Sequence, residues 1–124
     1  MKYTNILQID DDCDDCSFFL DALRQVSNAG YMAIHNPVHA LQQLTGNEIQ
    51  PDLIFLDINM PVMNGMELLG EMKKKELIKD IPVIIFSTSI PPEVKCKFEN
   101  LGALDYYIKP NDFGIMKSML KDLL

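Results

Sequence analysis

Short apolar runs alternate with amphipathic segments along this 124-residue chain, and this alternation restricts the available folds more than any other feature. The runs are rich in β-branched and aromatic residues, which is typical of strands buried on both faces of a parallel sheet. They are Ile6–Ile9, Tyr31–His35, Leu53–Leu56, Val83–Phe86 and Tyr106–Ile108. After each run, apolar residues recur at spacings of three and four, which indicates a helix. The pattern predicts an α/β fold with five strands and five helices.

The order of these elements predicts their arrangement. Strand–helix–strand units with short connections form right-handed crossovers, which place helices on both faces of one parallel sheet. We expect a doubly wound, five-stranded sheet of the flavodoxin-like order 2-1-3-4-5, with functional groups at the carboxyl ends of the strands. Residues 1–124 are predicted to form one domain, because a chain of this length buries a core without disulfides or a structural metal.

Glycine and proline residues mark the predicted helix ends. Gly30, Gly46 and Gly102 each follow a helical pattern, where a left-handed C-cap residue is favoured. Pro37 and Pro92 fit the first turns of helices, since the missing N–H group would have no partner there.

Composition excludes several classes of function. A formal net charge of −7 disfavours direct contact with nucleic acid or an anionic membrane, because both are polyanions. No apolar run approaches the ~20 residues of a membrane helix, so we expect an unexported, cytoplasmic protein. Cys13 and Cys16 form a C-x-x-C pair, but the two aspartates between them are a poor setting for a thiolate, and no second ligand pair exists. We interpret both, with Cys96, as reduced thiols.

Charged and hydroxyl side chains follow four of the predicted strands. Asp10 and Asp11 follow the first strand, Asp57 the third, Ser87 the fourth and Lys109 the fifth. Carboxylates brought together at one sheet edge repel each other unless a cation binds, and hard oxygen ligands suit Mg²⁺ or Mn²⁺. With the charge neutralised, a carboxylate can attack phosphorus while an ammonium and a hydroxyl bind the phosphoryl oxygens. The residue types predict phosphoryl transfer to Asp57.

The same motifs resemble the receiver domains of two-component response regulators, in particular stand-alone receivers of the chemotaxis type. The resemblance covers essentially the whole chain, in the segments Ile9–Asp11, Leu56–Gly65, Pro82–Thr88 and Leu101–Pro110. It implies a phosphoacceptor switch of a two-component or phosphorelay system, phosphorylated by a sensor histidine kinase or a histidine phosphotransferase. It also implies a signalling protein that catalyses only its own phosphorylation and dephosphorylation, and is otherwise not an enzyme.

The resemblance assigns roles to the metal and phosphoryl site. Asp57 corresponds to the phosphoacceptor, and Asp11 and Asp57 to direct Mg²⁺ ligands, with Asp10 acting through water. Asn59 is expected to supply its backbone carbonyl to the metal. Lys109 matches the phosphoryl-binding lysine of the family, and its bond to Pro110 is expected to be cis, as in relatives.

The resemblance also implies how a signal leaves the site. Ser87 stands where the family has serine or threonine, and Tyr106 matches an aromatic residue whose inward or outward rotamer reports activation. Together they are the predicted switch. The surface that they alter, formed by the fourth helix, the fifth strand and the fifth helix, is the predicted docking face for an unknown downstream protein. It comprises roughly Pro92–Asn100 and Tyr106–Leu124.

Two alternatives remain beside this interpretation. A Mg²⁺-dependent phosphohydrolase of the haloacid dehalogenase type also has an aspartate nucleophile on a parallel sheet, but it carries an acid/base aspartate two residues later, where this chain has Asn59. A flavodoxin-like cofactor binder or a degenerate receiver is the other alternative. The complete acidic set and the lack of a Gly/Ser/Thr-rich loop after the first strand argue against both forms of it.

Overall fold

The computed structural model describes residues 3–124, so Met1 and Lys2 of the predicted domain lie outside the described residues. Strands and helices alternate along this whole range. The strands are β1 (Asn5–Ile9), β2 (Gly30–Ile34), β3 (Leu53–Leu56), β4 (Val83–Ser87) and β5 (Asp105–Ile108). The helices are α1 (Cys13–Val26), α2 (Pro37–Thr45), α3 (Gly65–Lys73), α4 (Pro92–Asn100) and α5 (Phe113–Leu123). The predicted α/β alternation is confirmed.

All five strands are parallel and lie in the order β2-β1-β3-β4-β5, as predicted. The register brings the strand ends level: Ile9, the last residue of β1, pairs with Ile34 of β2 and Leu56 of β3. The two edge strands are partly exposed, in contrast to the burial on both faces expected from their apolar sequences. The three inner strands have neighbours on both edges, and their apolar runs are almost entirely buried.

Alternate residues of the inner strands face two separate helix layers. Leu7, Ile9 and Ile54 pack in a cluster with apolar residues of α2, α3 and α4. Ile6 and Phe55 pack in a second cluster with α1 and α5. The sheet is therefore covered on both faces, as a parallel sheet requires, and its strand ends form an edge between the layers.

Glycine positions predicted the helix ends only in part, because local hydrogen bonds decide where α1 and α2 end. Pro37 and Pro92 lie in first turns, as predicted. Gly102 has a φ of 83° and confirms its predicted left-handed conformation. Gly30 is instead the first residue of β2, and Gly46 ends α2 in a right-handed conformation with φ −78°. Both predictions were wrong, because Ser27 caps α1 and because the left-handed residue after α2 is an asparagine at position 47, with φ 59°.

The Lys109–Pro110 bond is trans, like every other peptide bond between residues 3 and 124. The cis bond implied by the resemblance is therefore wrong for this chain. The trans form of an X–Pro bond is favoured by about 0.5–1 kcal/mol in the absence of a tertiary constraint. Within the same range, no helix has the length and apolar character required to span a membrane.

Candidate phosphoacceptor and metal site

Backbone hydrogen bonds continue past the strand ends and fix the first residues of the site. The Asp57 N–H donates to the Ile9 carbonyl (3.0 Å), and the Asp10 N–H donates to the Ile34 carbonyl (3.2 Å). At the same edge, beyond the ends of β4 and β5, the Lys109 N–H donates to the Ser87 carbonyl (2.8 Å). Backbone hydrogen bonds alone therefore place Asp10, Asp57, Ser87 and Lys109 at one edge of the sheet.

Three carboxylates converge there as predicted. Asp10, Asp11 and Asp57 each place a carboxylate oxygen within 4.8 Å of the other two. Asp10 and Asp57 are 1% and 6% exposed, whereas Asp11 is exposed. Backbone N–H groups orient the two buried side chains: that of Asp12 donates to Asp10 Oδ1 (3.0 Å), and that of Ile58 donates to Asp57 Oδ1 (2.9 Å).

This carboxylate cluster fits a hard divalent cation. It supplies oxygen ligands only, of the kind that Mg²⁺ and Mn²⁺ prefer, and the exposed Asp11 leaves one side open to water. Burial favours the neutral carboxyl form and raises the pKa of Asp10 to about 6, although Lys109 and the Asp12 N–H act in the opposite direction and Asp57 adds to the increase. A bound cation would remove this unfavourable energy. Asn59 is exposed two residues beyond Asp57.

Lys109 supplies the positive charge of the site. Its side chain is 8% exposed, and its Nζ lies 2.6 Å from Asp10 Oδ2, 2.7 Å from Asp15 Oδ2 and 3.9 Å from Asp57 Oδ2. Burial alone would lower the pKa of Lys109, but its interactions with Asp10 and Asp15 outweigh burial and raise it. The lysine therefore stays charged.

Asp15 is the one contact of Lys109 that the sequence interpretation missed. It lies in the first turn of α1, four residues after Asp11, which is about one helical turn. This spacing in the sequence could have indicated that Asp15 lies near the acidic site.

Ser87 ends β4 and is completely buried. Its Oγ has no hydrogen-bond partner among the residues that the structure describes. Buried hydroxyl groups are normally hydrogen-bonded, and leaving one unpaired costs about 1–3 kcal/mol. The side chain is thus ready to bind an acceptor that is absent from the protein itself.

Tyr106, in the edge strand β5, is half-buried and packs against the cluster formed with α2, α3 and α4. The Lys95 ammonium of α4 lies over its ring, 4.9 Å from the centroid. A cation at this distance from an aromatic face is attracted by the ring. This contact joins α4 to β5.

Gly65, the first residue of α3, lies against the backbone of Asp57. A Cβ atom added there would meet the Asp57 carbonyl oxygen at 2.2 Å, far inside contact distance. The Gly65 N–H also donates to the Ile58 carbonyl (2.8 Å), which folds the loop back onto β3. Asn64 and Glu67 complete a capping box that starts the helix at this point. The loop after Asp57 is therefore tightly held.

The structure brings together Asp10, Asp11, Asp57 and Lys109, and it places Ser87 at the end of the adjacent strand. This edge of acidic, basic and hydroxyl groups on a 2-1-3-4-5 sheet defines a class of phosphoacceptor domain. The chain belongs to the response regulator receiver domain family, whose model matches residues 6–121. It is accordingly a phosphoacceptor signalling domain of the two-component type.

Curated relatives of this chain carry receiver domains in different contexts. It is 31% identical to the two-component response regulator ARR5 of Arabidopsis thaliana, over 99% of this chain and 72% of that protein. It is 34% identical to a protein-glutamate methylesterase/protein-glutamine glutaminase of Desulfotalea psychrophila, over 90% of this chain. The chain spans only 30% of the length of that relative.

Solved structures show the same fold. The phosphorylated cyanobacterial phytochrome response regulator RcpA superposes with a TM-score of 0.87 at 26% identity, covering 98% of this chain and 91% of that one. The Mn²⁺-bound form of the response regulator Rcp1 superposes with a TM-score of 0.83 at 25% identity, covering 97% and 91%. None of these matches favours the haloacid dehalogenase alternative.

Proposed function

We propose that Asp57 is the phosphoacceptor of this receiver domain. The observation that carries the proposal is its environment: a buried carboxylate within 4.8 Å of Asp10 and Asp11 and 3.9 Å from the Lys109 ammonium. An oxygen of Asp57 attacks the phosphorus of a phosphohistidine, the P–N bond breaks, and an acyl phosphate forms while the imidazole nitrogen takes up a proton. The donor is a sensor histidine kinase or a histidine phosphotransferase.

Asp10, Asp11 and Asp57, with the backbone carbonyl of Asn59, would hold Mg²⁺, with Mn²⁺ as the alternative. When bound, the cation neutralises the carboxylates and the incoming phosphoryl charge. The Mn²⁺-bound Rcp1 structure supports this choice for a protein of the same fold. The donor set is the second support, because it contains only hard oxygen ligands.

Lys109 and Ser87 bind the phosphoryl oxygens in this proposal. Lys109 already lies beside Asp57 and is held in its charged form. Ser87 supplies the buried hydroxyl group that lacks a partner within the described residues. A phosphoryl group adds acceptor oxygens that both donors can bind.

The output of the switch is proposed to pass through Ser87 and Tyr106 to the face formed by α4, β5 and α5. Leu104 and Ile108, two residues either side of Tyr106, are 56% and 52% exposed. Leu104 directly precedes β5 and its N–H donates to the Val83 carbonyl (2.8 Å), so the ladder continues through it and Leu104, Tyr106 and Ile108 lie on one face. Exposed apolar side chains beside the half-buried Tyr106 suit docking of a downstream protein rather than nucleic acid or a membrane. The chain then acts as a cytoplasmic switch, and not as an enzyme toward other substrates.

Intact mass measured after incubation with acetyl phosphate tests the central assignment. We expect the wild-type protein to gain one phosphoryl group in the presence of Mg²⁺ and none in chelator. Asp57→Asn is expected to gain none, because the attacking carboxylate is gone. Asp80→Asn, which removes an exposed carboxylate just before β4, at the opposite end of that strand from Ser87, is the matched control and should react like wild type. Equal phosphorylation of Asp57→Asn would overturn the proposal.

A further inference from the structure

Lys109 is held by a carboxylate outside the metal and phosphoryl site. Three acidic side chains surround its Nζ, and one of them, Asp15, accepts a hydrogen bond of 2.7 Å from outside the site. Asp10 Oδ2 forms an ion pair with Nζ at 2.6 Å, and Asp57 Oδ2 is 3.9 Å away. The ammonium is therefore held jointly by Asp10 of the site and by Asp15 of α1.

Asp15 lies in the first turn of α1, where its backbone position is fixed. The Asp15 N–H donates to the Asp12 Oδ1 (3.1 Å), so the cap of the helix fixes its backbone. Only about a third of its side chain is exposed, which limits competition from water. Asp15 and Lys109 are separated by 94 residues, and their contact links the start of α1 to the end of β5.

This contact opposes what Lys109 does in the proposed function. An ammonium has three N–H donors, and one of them is used by Asp15. The hydrogen bond to Asp15 holds Nζ 3.9 Å from Asp57 Oδ2, so a closer approach of Lys109 to a phosphoryl oxygen on Asp57 lengthens the contact with Asp15. We propose that Asp15 is a positioning residue that holds Lys109 toward α1 and so reduces its affinity for the phosphoryl group. The inference rests on Asp57 being the phosphoacceptor.

Binding of beryllofluoride in the presence of Mg²⁺ measures this effect without chemical turnover. Asp15→Asn keeps the size of the side chain but removes its charge. We expect it to bind beryllofluoride about two- to fivefold more tightly than wild type, because Lys109 is released toward Asp57. Asp14→Asn is the matched control: it removes the same charge from the same helical turn, at an exposed position without a contact to Lys109. It should bind like wild type.

A double-mutant cycle separates positioning from general electrostatics. In a Lys109→Ala background, Asp15→Asn is expected to leave beryllofluoride affinity unchanged, because the group it acts through is absent. An equal gain in both backgrounds would show that Asp15 acts on the anion directly and would overturn the inference. A loss of affinity in Asp15→Asn alone would overturn it as well.

A measurement without metal or ligand completes the test. In protein labelled with ¹⁵N at lysine side chains, the Lys109 ammonium resonance should shift and its hydrogens should exchange faster with water in Asp15→Asn, but not in Asp14→Asn. An unchanged resonance contradicts the inference. Failure of the proposed function looks different: beryllofluoride would then bind Asp57→Asn as well as wild type. If binding requires Asp57 but the Asp15 and Asp14 variants bind beryllofluoride with equal affinity, only the role of Asp15 is overturned.

Discussion

Two carboxylates of this protein, Asp10 and Asp52, have very different surroundings. At the site, Asp10 is buried beside other acidic groups, and burial raises its pKa to about 6. At the opposite end of the sheet, Asp52 accepts hydrogen bonds from the Thr4 N–H (2.8 Å), the Thr4 hydroxyl (2.9 Å) and the Asn5 N–H (3.0 Å). Asp10 thus belongs to a cluster that fits a cation, whereas Asp52 joins the beginning of β1 to the segment before β3.

Removing Asp52 should change stability in a pH-dependent way. Partial burial would raise the pKa of Asp52, but its hydrogen bonds with Thr4 and Asn5 outweigh burial and lower it. Its contribution is then present above the unfolded pKa of about 3.9 and is lost as pH falls through the lower folded value. Asp52→Ala should reduce the free energy of unfolding by about 1 kcal/mol at pH 7, and by less at acidic pH.

Urea unfolding between pH 7 and pH 3 measures this difference. Asp80→Ala is the control, since Asp80 is exposed and should have a negligible effect at either pH. A constant difference between Asp52→Ala and wild type at all pH values would show that the ionised carboxylate is not the stabilising group.

Sequence reasoning found the site residues that end strands and missed the one on a helix. Asp10, Asp57 and Ser87 follow apolar runs directly, so parallel pairing alone brings them to one edge. The Asp15–Lys109 pair depends on how α1 sits beside the end of β5, 94 residues away, and no local pattern reports that. The isomer of Pro110 was missed for a similar reason, because it depends on tertiary surroundings.

The start of α3 packs directly against the backbone of Asp57. Gly65 lies there because only a residue without a Cβ fits against the Asp57 carbonyl. Strand positions were predicted to within one residue, since each apolar run is bounded by polar residues. Helix ends were less predictable: Gly30 and Gly46 follow helical patterns, but pairing with β1 and a local turn decide their conformations.

Two glycine substitutions in α3 should have opposite effects. Gly65→Ala forces the loop away from Asp57, so we expect a loss of about 1–3 kcal/mol in the free energy of unfolding and slower phosphorylation by acetyl phosphate. Gly70→Ala is the matched control, because nothing lies within 4 Å of its added Cβ. It should stabilise the protein by about 0.5–1 kcal/mol through higher helix propensity and leave phosphorylation unchanged.

Thermal or urea unfolding, together with the rate of phosphoryl gain by mass spectrometry, measures both effects. A Gly65→Ala protein as stable and as reactive as Gly70→Ala would mean that the contact with Asp57 does not constrain the site.

Across the whole molecule, α4 is the helix held least firmly. Phe98 is its only buried residue, and its N-cap Pro91 makes no side-chain capping hydrogen bond. The other four helices each bury two or more residues and begin with a side-chain cap. A helix with few buried contacts moves at small energetic cost. The contact of Lys95 with Tyr106 therefore connects β5 to the helix that moves at the smallest energetic cost.

Binding of beryllofluoride should be detected at α4 only when Ser87 is present. In wild type, we expect amide chemical shifts to change at the site, at Ser87, at Tyr106 and along α4, because the unpaired Ser87 hydroxyl turns to the phosphoryl mimic and the Tyr106 ring follows. Ser87→Ala should still bind the mimic through Lys109 but confine the changes to Asp10–Asp12 and Asp57–Gly65. Ser89→Ala, an exposed hydroxyl two residues further, should behave like wild type. If Ser87→Ala transmits the changes to Tyr106 and α4 as wild type does, the signal takes another route through the sheet.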